Sequence, residues 1–412
     1  MDSLIFLSPF VNKFLSFFQF IFVNQTKPTR HSLLLLLLGI VMTSSLSVRK
    51  CYMRIISRIS GKSLNSFYNL LTNGKIDLNV WSAQLIRLSL RCIPAEYEDA
   101  PILLAVDDTL VEKEGSHFAH RERLFDHSGY RDKKNDKENS QEIKGHFING
   151  HCFVSLVMLI PAMMSSGLKY IPIVVAQRMW NKDLNKLDIA YELVLQARSV
   201  IGENRQLILL CDSWYPKGKI AGLKNLQNID IICNVRHDSV MIELTPPKKE
   251  KGAVGRHRTK GDRVRLDDFE LVPVPETIYF VGVRMAKAKI FGYKTVTAIV
   301  TRQGEQGSRR LFFCTNDAIC SFFQQHIESI AGKEAKAYAR TDIRFIPLAI
   351  YSLRWNIEIS YLELKSFWDF REYRVRSQES IERLLNLLSL AYSVCIRSQG
   401  YAVKPFSGGA RG

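Results

Sequence analysis

Two apolar runs in this chain each end on an aspartate. Ile102-Leu-Leu-Ala-Val106 leads into Asp107-Asp108-Thr109, and Leu207-Ile-Leu-Leu-Cys211 leads into Asp212. A short continuous apolar run bounded by polar residues reads as a strand buried on both faces. Acids at the C-terminal ends of neighbouring strands in an α/β sheet point into the crevice where such folds bind ligands. A third acid, Glu358, stands much later, in a segment of helical pattern. Convergent carboxylates repel one another and are tolerated when a divalent cation neutralises them. Their hard oxygens select magnesium or manganese over zinc. A pair of such ions about 3.5–4 Å apart can activate the attacking oxygen and stabilise the leaving oxygen of a phosphodiester. One Asp after one strand is a weak signal alone, since Asp also serves as a helix cap or turn residue.

Around Glu358 the residue types repeat at helical spacing: Tyr351, Arg354, Glu358 and Lys365. Arg354 and Glu358 are one turn apart on one face, Tyr351 lies a further turn back, and Lys365 lies two turns beyond. In a helix running through Tyr351–Phe370, all four line one stripe. Arg354 and Lys365 are then placed to bind phosphates, and Tyr351 to brace or stack on a nucleotide. The plainer expectation for such a stripe is an exposed, salt-bridged helix face.

The balance of charge names a partner of the same kind. Among 412 residues, 57 Lys+Arg face 40 Asp+Glu, a formal net charge of +17. Such a surplus favours a polyanion, either nucleic acid or an anionic membrane surface. Arg236, just after a strand, is a candidate phosphate contact. The stretch Lys248 to Arg265 is a candidate DNA-binding loop, with Lys248, Lys249, Arg256, Arg258 and Lys260 as its contacts. Binding through these residues is expected to fall steeply with salt. Arg49, Lys50, Arg54, Arg58 and Lys62 are interleaved in a helical segment, as phosphate contacts or as a solvated face. His117, His120, His127 and His146 lie in a polar loop, but no Cys lies there to complete a zinc site. The eight cysteines form no CxxC pair, and most sit in apolar runs, which reads as reduced core thiols of a cytosolic protein.

The elements that must position these residues follow from periodicity. Residues 1–98 read as an all-helical N-terminal domain that contacts DNA. Its apolar runs Ile5–Val23 and Leu33–Met42 read as buried helices. The first is interrupted by Asn12-Lys13 and Gln19, and the second is half the length a bilayer span requires. No stable membrane association is expected. Residues 99–239 alternate strands and helix, which says α/β. Their strand candidates are Ile102–Val106, Cys152–Ile160, Tyr170–Val175, Leu207–Cys211 and Asp230–Val235, with a helix over Leu184–Val200. Residues 240–316 break the alternation as a β-rich insertion, with runs at Phe269–Val274, Thr277–Val283, Thr295–Thr301 and Leu311–Cys314. Residues 317–400 return to helix, and 401–412 read as a frayed tail.

The segment Tyr351-Ser-Leu-Arg354-Trp-Asn-Ile-Glu358-Ile-Ser-Tyr-Leu-Glu-Leu-Lys365 matches the Tyr-x2-Arg-x3-Glu-x6-Lys signature of a large group of bacterial insertion-sequence transposases, the YREK group of DDE enzymes. The strand ending in Asp107-Asp108-Thr109 resembles the group's first-Asp region, and the strand ending in Asp212 resembles the second. The β-rich stretch lies where the group carries an insertion. Thr26-Lys-Pro-Thr-Arg-His-Ser-Leu-Leu is similar to helical N-terminal regions of related transposases. The resemblance covers roughly residues 25–395. It implies an RNase H-like core, interrupted by the insertion, that frees a 3′-hydroxyl at an element end and joins it to target DNA. It also implies Mg2+ (or Mn2+) held by Asp212, Glu358 and one acid of the first strand, double-stranded DNA as partner, a homodimer on DNA, and a bacterial, nucleoid-associated setting. Asp-x-Thr spacing selects Asp107, and an Asp directly before Thr selects Asp108. The two point to opposite faces of a strand, so only one is expected to bind metal. The second-Asp region departs from the group: Trp214 stands where Gly or Ala is usual, and Tyr215 is a candidate for the missing aromatic. Two other functions fit the same residues: a transposase-derived DNA-binding protein that no longer cuts, and an RNase H-like nuclease without strand transfer.

Overall fold

The computed structural model describes residues 18–126, 146–164, 167–248, 256–316, 320–330 and 332–400. Lys249, His127, most of the Ile5–Val23 run and the 401–412 tail lie outside the described residues. The described residues contain twelve strands: β1 Ile102–Glu112, β2 Glu122–Phe125, β3 Phe147–Met164, β4 Gly167–Trp180, β5 Leu207–Cys211, β6 Ile229–Val235, β7 Met241–Ile242, β8 Arg263–Val264, β9 Val272–Pro273, β10 Tyr279–Ala288, β11 Lys294–Gln303 and β12 Arg309–Cys314. The longer helices, numbered alone, are α1 Lys27–Thr43, α2 Leu64–Asn73, α3 Leu78–Arg91, α4 Lys186–Ile201, α5 Cys320–Ile330, α6 Lys333–Thr341, α7 Ile346–Ser352, α8 Trp355–Phe367 and α9 Gln378–Gly400.

All twelve strands form one mixed sheet in the order β2-β3-β1-β5-β6-β12-β11-β10-β7-β8, with β4 also on β3 and β9 on β10. At its centre β1, β5 and β6 run parallel. Strands β3 and β4 continue antiparallel on one side, and β12, β11 and β10 on the other. Every residue of Ile102–Val106 and Leu207–Cys211 is buried, as central strands covered on both faces require. The β-rich stretch does not build a sheet of its own. Strand β12 pairs with β6, Phe313 opposite Cys233, so β7–β12 extend the central sheet. The expected strand over Phe269–Val274 shrinks to Val272–Pro273, because a 3-10 turn over Leu266–Asp268 ends only at Phe269.

Helix α9 packs on β4 and against α1. The leucine run of α1 is buried throughout Leu33–Leu38, and one continuous core joins these leucines, the sheet and Leu384–Tyr392 of α9. Among the described residues, no single helix is long and apolar enough to cross a membrane. Helix α1 and the helical segment Val48–Ile59 reach that composition only together, and the pair bends by 90°. Cys51, Cys152, Cys211, Cys233 and Cys314 are buried, and Cys92 and Cys395 are half-buried.

The expected single helix through Tyr351–Phe370 is two helices. Helix α7 ends at Ser352 and α8 begins at Trp355. Across the junction the backbone bonds tighten to i→i−3: Arg354 N donates to Tyr351 O at 2.9 Å, and Ile357 N to Arg354 O at 3.0 Å. The residues keep right-handed helical angles, so periodicity alone does not reveal the break.

Candidate active site

The parallel register ends with Val106 opposite Cys211. Asp107 and Asp212 each stand one residue further, side by side at the C-terminal end of β5. Helix α8 covers this side of the sheet. It buries Ile357, Ser360, Tyr361 and Leu364, and Tyr361 OH donates to the backbone oxygen of Asp107 at 3.0 Å. That packing brings Glu358, on the flank of the buried face, towards β1. Arg354, at the head of α8, joins the two acids. Its Nη1 donates to Asp107 Oδ2 at 3.1 Å, and its Nη2 donates to Glu358 Oε1. The Arg354 side chain is only 12% exposed.

Burial, and then the charge of Asp212, push the Asp107 carboxyl from 3.8 up to about 7. Arg354 acts in the opposite direction but does not cancel them. Burial disfavours the Arg354 cation, yet Tyr351, Asp107 and Glu358 outweigh it and hold the guanidinium above its ordinary value. Arg354 Nε is buried without a hydrogen-bond partner. Among the described residues, no group of three or more His, Cys, Asp or Glu side chains is close enough together to hold a metal ion. The donor chemistry nonetheless suits a hard divalent cation. Two carboxylates side by side, one of them forced towards its neutral form, are the condition that such a cation relieves. In this arrangement Arg354 supplies the positive charge.

The strand alternation that left Asp107 and Asp108 open has a geometric outcome. Asp107 shares its side of β1 with Arg354, Glu358 and Asp212. Asp108 reaches the other side, where Lys186 Nζ donates to Oδ2 at 2.8 Å, Cys152 Sγ to Oδ2 at 3.2 Å, and Tyr215 OH to Oδ1 at 3.0 Å. Asp212 Oδ1 accepts from Trp214 N at 3.0 Å, which makes the turn after β5.

The other predicted contacts are less gathered. The Tyr351 ring packs edge-on against Phe312 at 5.1 Å, and Arg354 lies 5.7 Å from its centroid. Tyr351 therefore braces Arg354 from α7 and is not one rung of a stripe on α8. Lys365 is half-buried, and burial and Arg371 push it below its ordinary value. Arg236 is exposed and pairs with Asp238 at 3.0 Å. Arg258 pairs with Asp262 at 2.8 Å, and Lys260 lies 4.4 Å over the ring of Tyr293. Lys248 and Arg256 are exposed. His117 and His120 join no metal-binding group among the described residues.

Two long-range clasps escaped the sequence. Lys186 had one local sign: a cation in the first turn of α4, where the helix dipole disfavours it. The second clasp fixes the chain just after α8. Lys113 Nζ donates to the carbonyls of Arg371 at 2.5 Å and Tyr373 at 2.9 Å. His151 Nε2 lies 2.9 Å from Ala119 O, a pure acceptor, so Nε2 carries the proton and Nδ1 accepts from Tyr373 OH at 2.5 Å. Burial holds His151 neutral, down at about 4.

The sequence model of one protein family, described as DDE superfamily endonuclease, matches residues 22–306, more than half of the chain. The match contains Asp107 and Asp212 and ends before Glu358. No curated protein sequence matches the chain.

Proposed function

The chain belongs to the DDE superfamily endonucleases, and on that premise we propose that it is a DNA transposase of the YREK group, built on an RNase H-like core. The carrying observation is that Arg354 bridges Asp107 and Glu358 while Asp107 stands beside Asp212. Arg354 thus links acids from two distant stretches of the chain at the sheet end where Asp212 also stands. The strand arrangement around β1, antiparallel on β3 and parallel on β5, supports the core assignment. In this reading Asp107, Asp212 and Glu358 hold Mg2+, or Mn2+ in its place, and Asp108 does not. The ions supply activation of the attacking oxygen and stabilisation of the leaving oxygen in phosphodiester cleavage and strand transfer.

The chain's own residues do the rest. Tyr361 and the buried face of α8 fix Glu358 against β1. Among the described residues, Arg354 is the cation that touches both Asp107 and Glu358, so it is placed to follow charge at the site. Lys248 and Arg256 are exposed for the duplex, as is Lys365 in part. The substrates are transposon ends and target double-stranded DNA, bound by a homodimer. The test is an excision and strand-transfer assay on a plasmid carrying the element ends. Glu358→Gln should abolish 3′-end release and joining while leaving DNA affinity intact. Undiminished excision by Glu358→Gln refutes the catalytic assignment, and cleavage without joined products identifies a nuclease.

A further inference from the structure

The acids of the candidate site are held from one side by α8. A second set of contacts holds them from the opposite side of the sheet. Asp212 opens a tight turn: Tyr215 N donates to Asp212 O at 3.4 Å, and Lys217 N to Tyr215 O at 2.6 Å. Tyr215 is completely buried, and its hydroxyl reaches through to Asp108 Oδ1 at 3.0 Å. Trp214 packs edge-on against Tyr215, with ring centroids 5.1 Å apart. Lys186 then closes the cluster, with its Nζ 2.8 Å from Asp108 Oδ2 and 5.6 and 5.8 Å from the rings of Trp180 and Trp214. Three elements far apart in sequence therefore meet on Asp108: β1, the turn after β5, and the start of α4.

We propose that Asp108, Tyr215 and Lys186 form a positioning network that sets the Asp212 carboxylate against Asp107 for metal binding. The proposal rests on the reading of Asp107 and Asp212 as metal ligands. Asp107 and Asp108 are adjacent on one strand, so a contact that fixes Asp108 fixes the backbone that carries Asp107. Tyr215 lies three residues after Asp212, so the same contact fixes the turn that carries Asp212. The hydroxyl of Tyr215 thus ties the two candidate ligands together from behind the sheet. Lys186 pairs with Asp108 and offsets part of the negative charge that Asp108 adds beside Asp107. Groups behind the ligands of a metal site commonly set affinity in this way, and their loss weakens binding about 10–100-fold.

The experiment is a calorimetric titration of the full chain with MnCl2, without DNA. Tyr215→Phe removes one oxygen and keeps the ring. Its Mn2+ affinity should fall about 10–100-fold, and the Mn2+ concentration giving half-maximal DNA cleavage should rise by the same factor. An unchanged Mn2+ affinity, or a lower cleavage rate at an unchanged half-saturating concentration, overturns the proposal. Asp107→Asn is the control. If it binds Mn2+ like the parent protein, the metal reading itself fails. If it loses Mn2+ while Tyr215→Phe does not, the positioning network alone fails. Should Tyr215→Phe not fold, Asp108→Asn carries the same expectation and the same overturning result.

Discussion

Asp107→Asn should change the pH dependence of stability in a way that a packing defect cannot imitate. The parent carboxyl ionises near 3.8 in the unfolded chain and near 7 in the folded one, raised by burial and by Asp212. Folding therefore favours its neutral form. The stability this gives is fully present below about pH 4 and is lost as pH rises through 7. The loss approaches about 1.4 kcal/mol per pH unit and totals about 4 kcal/mol. Asn cannot ionise, so the variant escapes this loss. Arg354 keeps Glu358 as a partner in the variant, and the contact it loses to Asp107 shifts the comparison by an offset. Urea unfolding of both proteins in EDTA, at intervals from pH 4 to 8.5, reads the difference directly. The difference should move in favour of Asp107→Asn by about 4 kcal/mol across that range and level off above pH 8. Adding Mg2+ to 100 times its dissociation constant should restore about 2.7 kcal/mol to the parent protein and nothing to the variant. A difference that stays constant from pH 4 to 8.5 refutes the reasoning.

Tyr373→Phe leaves His151 Nδ1 buried without its hydrogen-bond partner and should cost about 1–3 kcal/mol in urea unfolding at pH 7; a loss below the error of the measurement contradicts the His151–Tyr373 hydrogen bond. Lys248→Ala and Arg256→Ala should each reduce the slope of log affinity for duplex DNA against log salt by roughly 1. Arg258→Ala should change that slope less, because Asp262 already pairs with Arg258; equal effects at all three positions contradict this ranking.

Local pattern went far because the central strands are buried on both faces. The run Leu207–Cys211 is the whole of β5, and Leu184–Val200 falls within two residues of α4. What pattern could not supply is the environment of each strand face. Asp107 and Asp108 differ only in which partner lies across from them, Arg354 or Lys186, and both partners come from distant segments. The break between α7 and α8 was hidden for a different reason. Leu353 and Arg354 stay in the right-handed helical region, so no Gly or Pro marks the change to tighter bonds. The spacing of Tyr351, Arg354, Glu358 and Lys365 implied one continuous helix, whereas Tyr351 lies on α7 and packs on Phe312. The β-rich stretch was legible as strands, while its continuity with β6 rests on the long-range pairing of Cys233 with Phe313.

The central claim is that Asp107, Asp212 and Glu358, and not Asp108, hold the ion. Crystals soaked in MnCl2 and measured at the manganese edge test it most directly. The account predicts an anomalous peak within about 2.0–2.4 Å of oxygens from Asp107 and Asp212, on the side of β1 that faces Glu358, with Arg354 moved off Asp107. A peak on the Asp108 side of β1, or none beside Asp107 at saturating Mn2+, would contradict it.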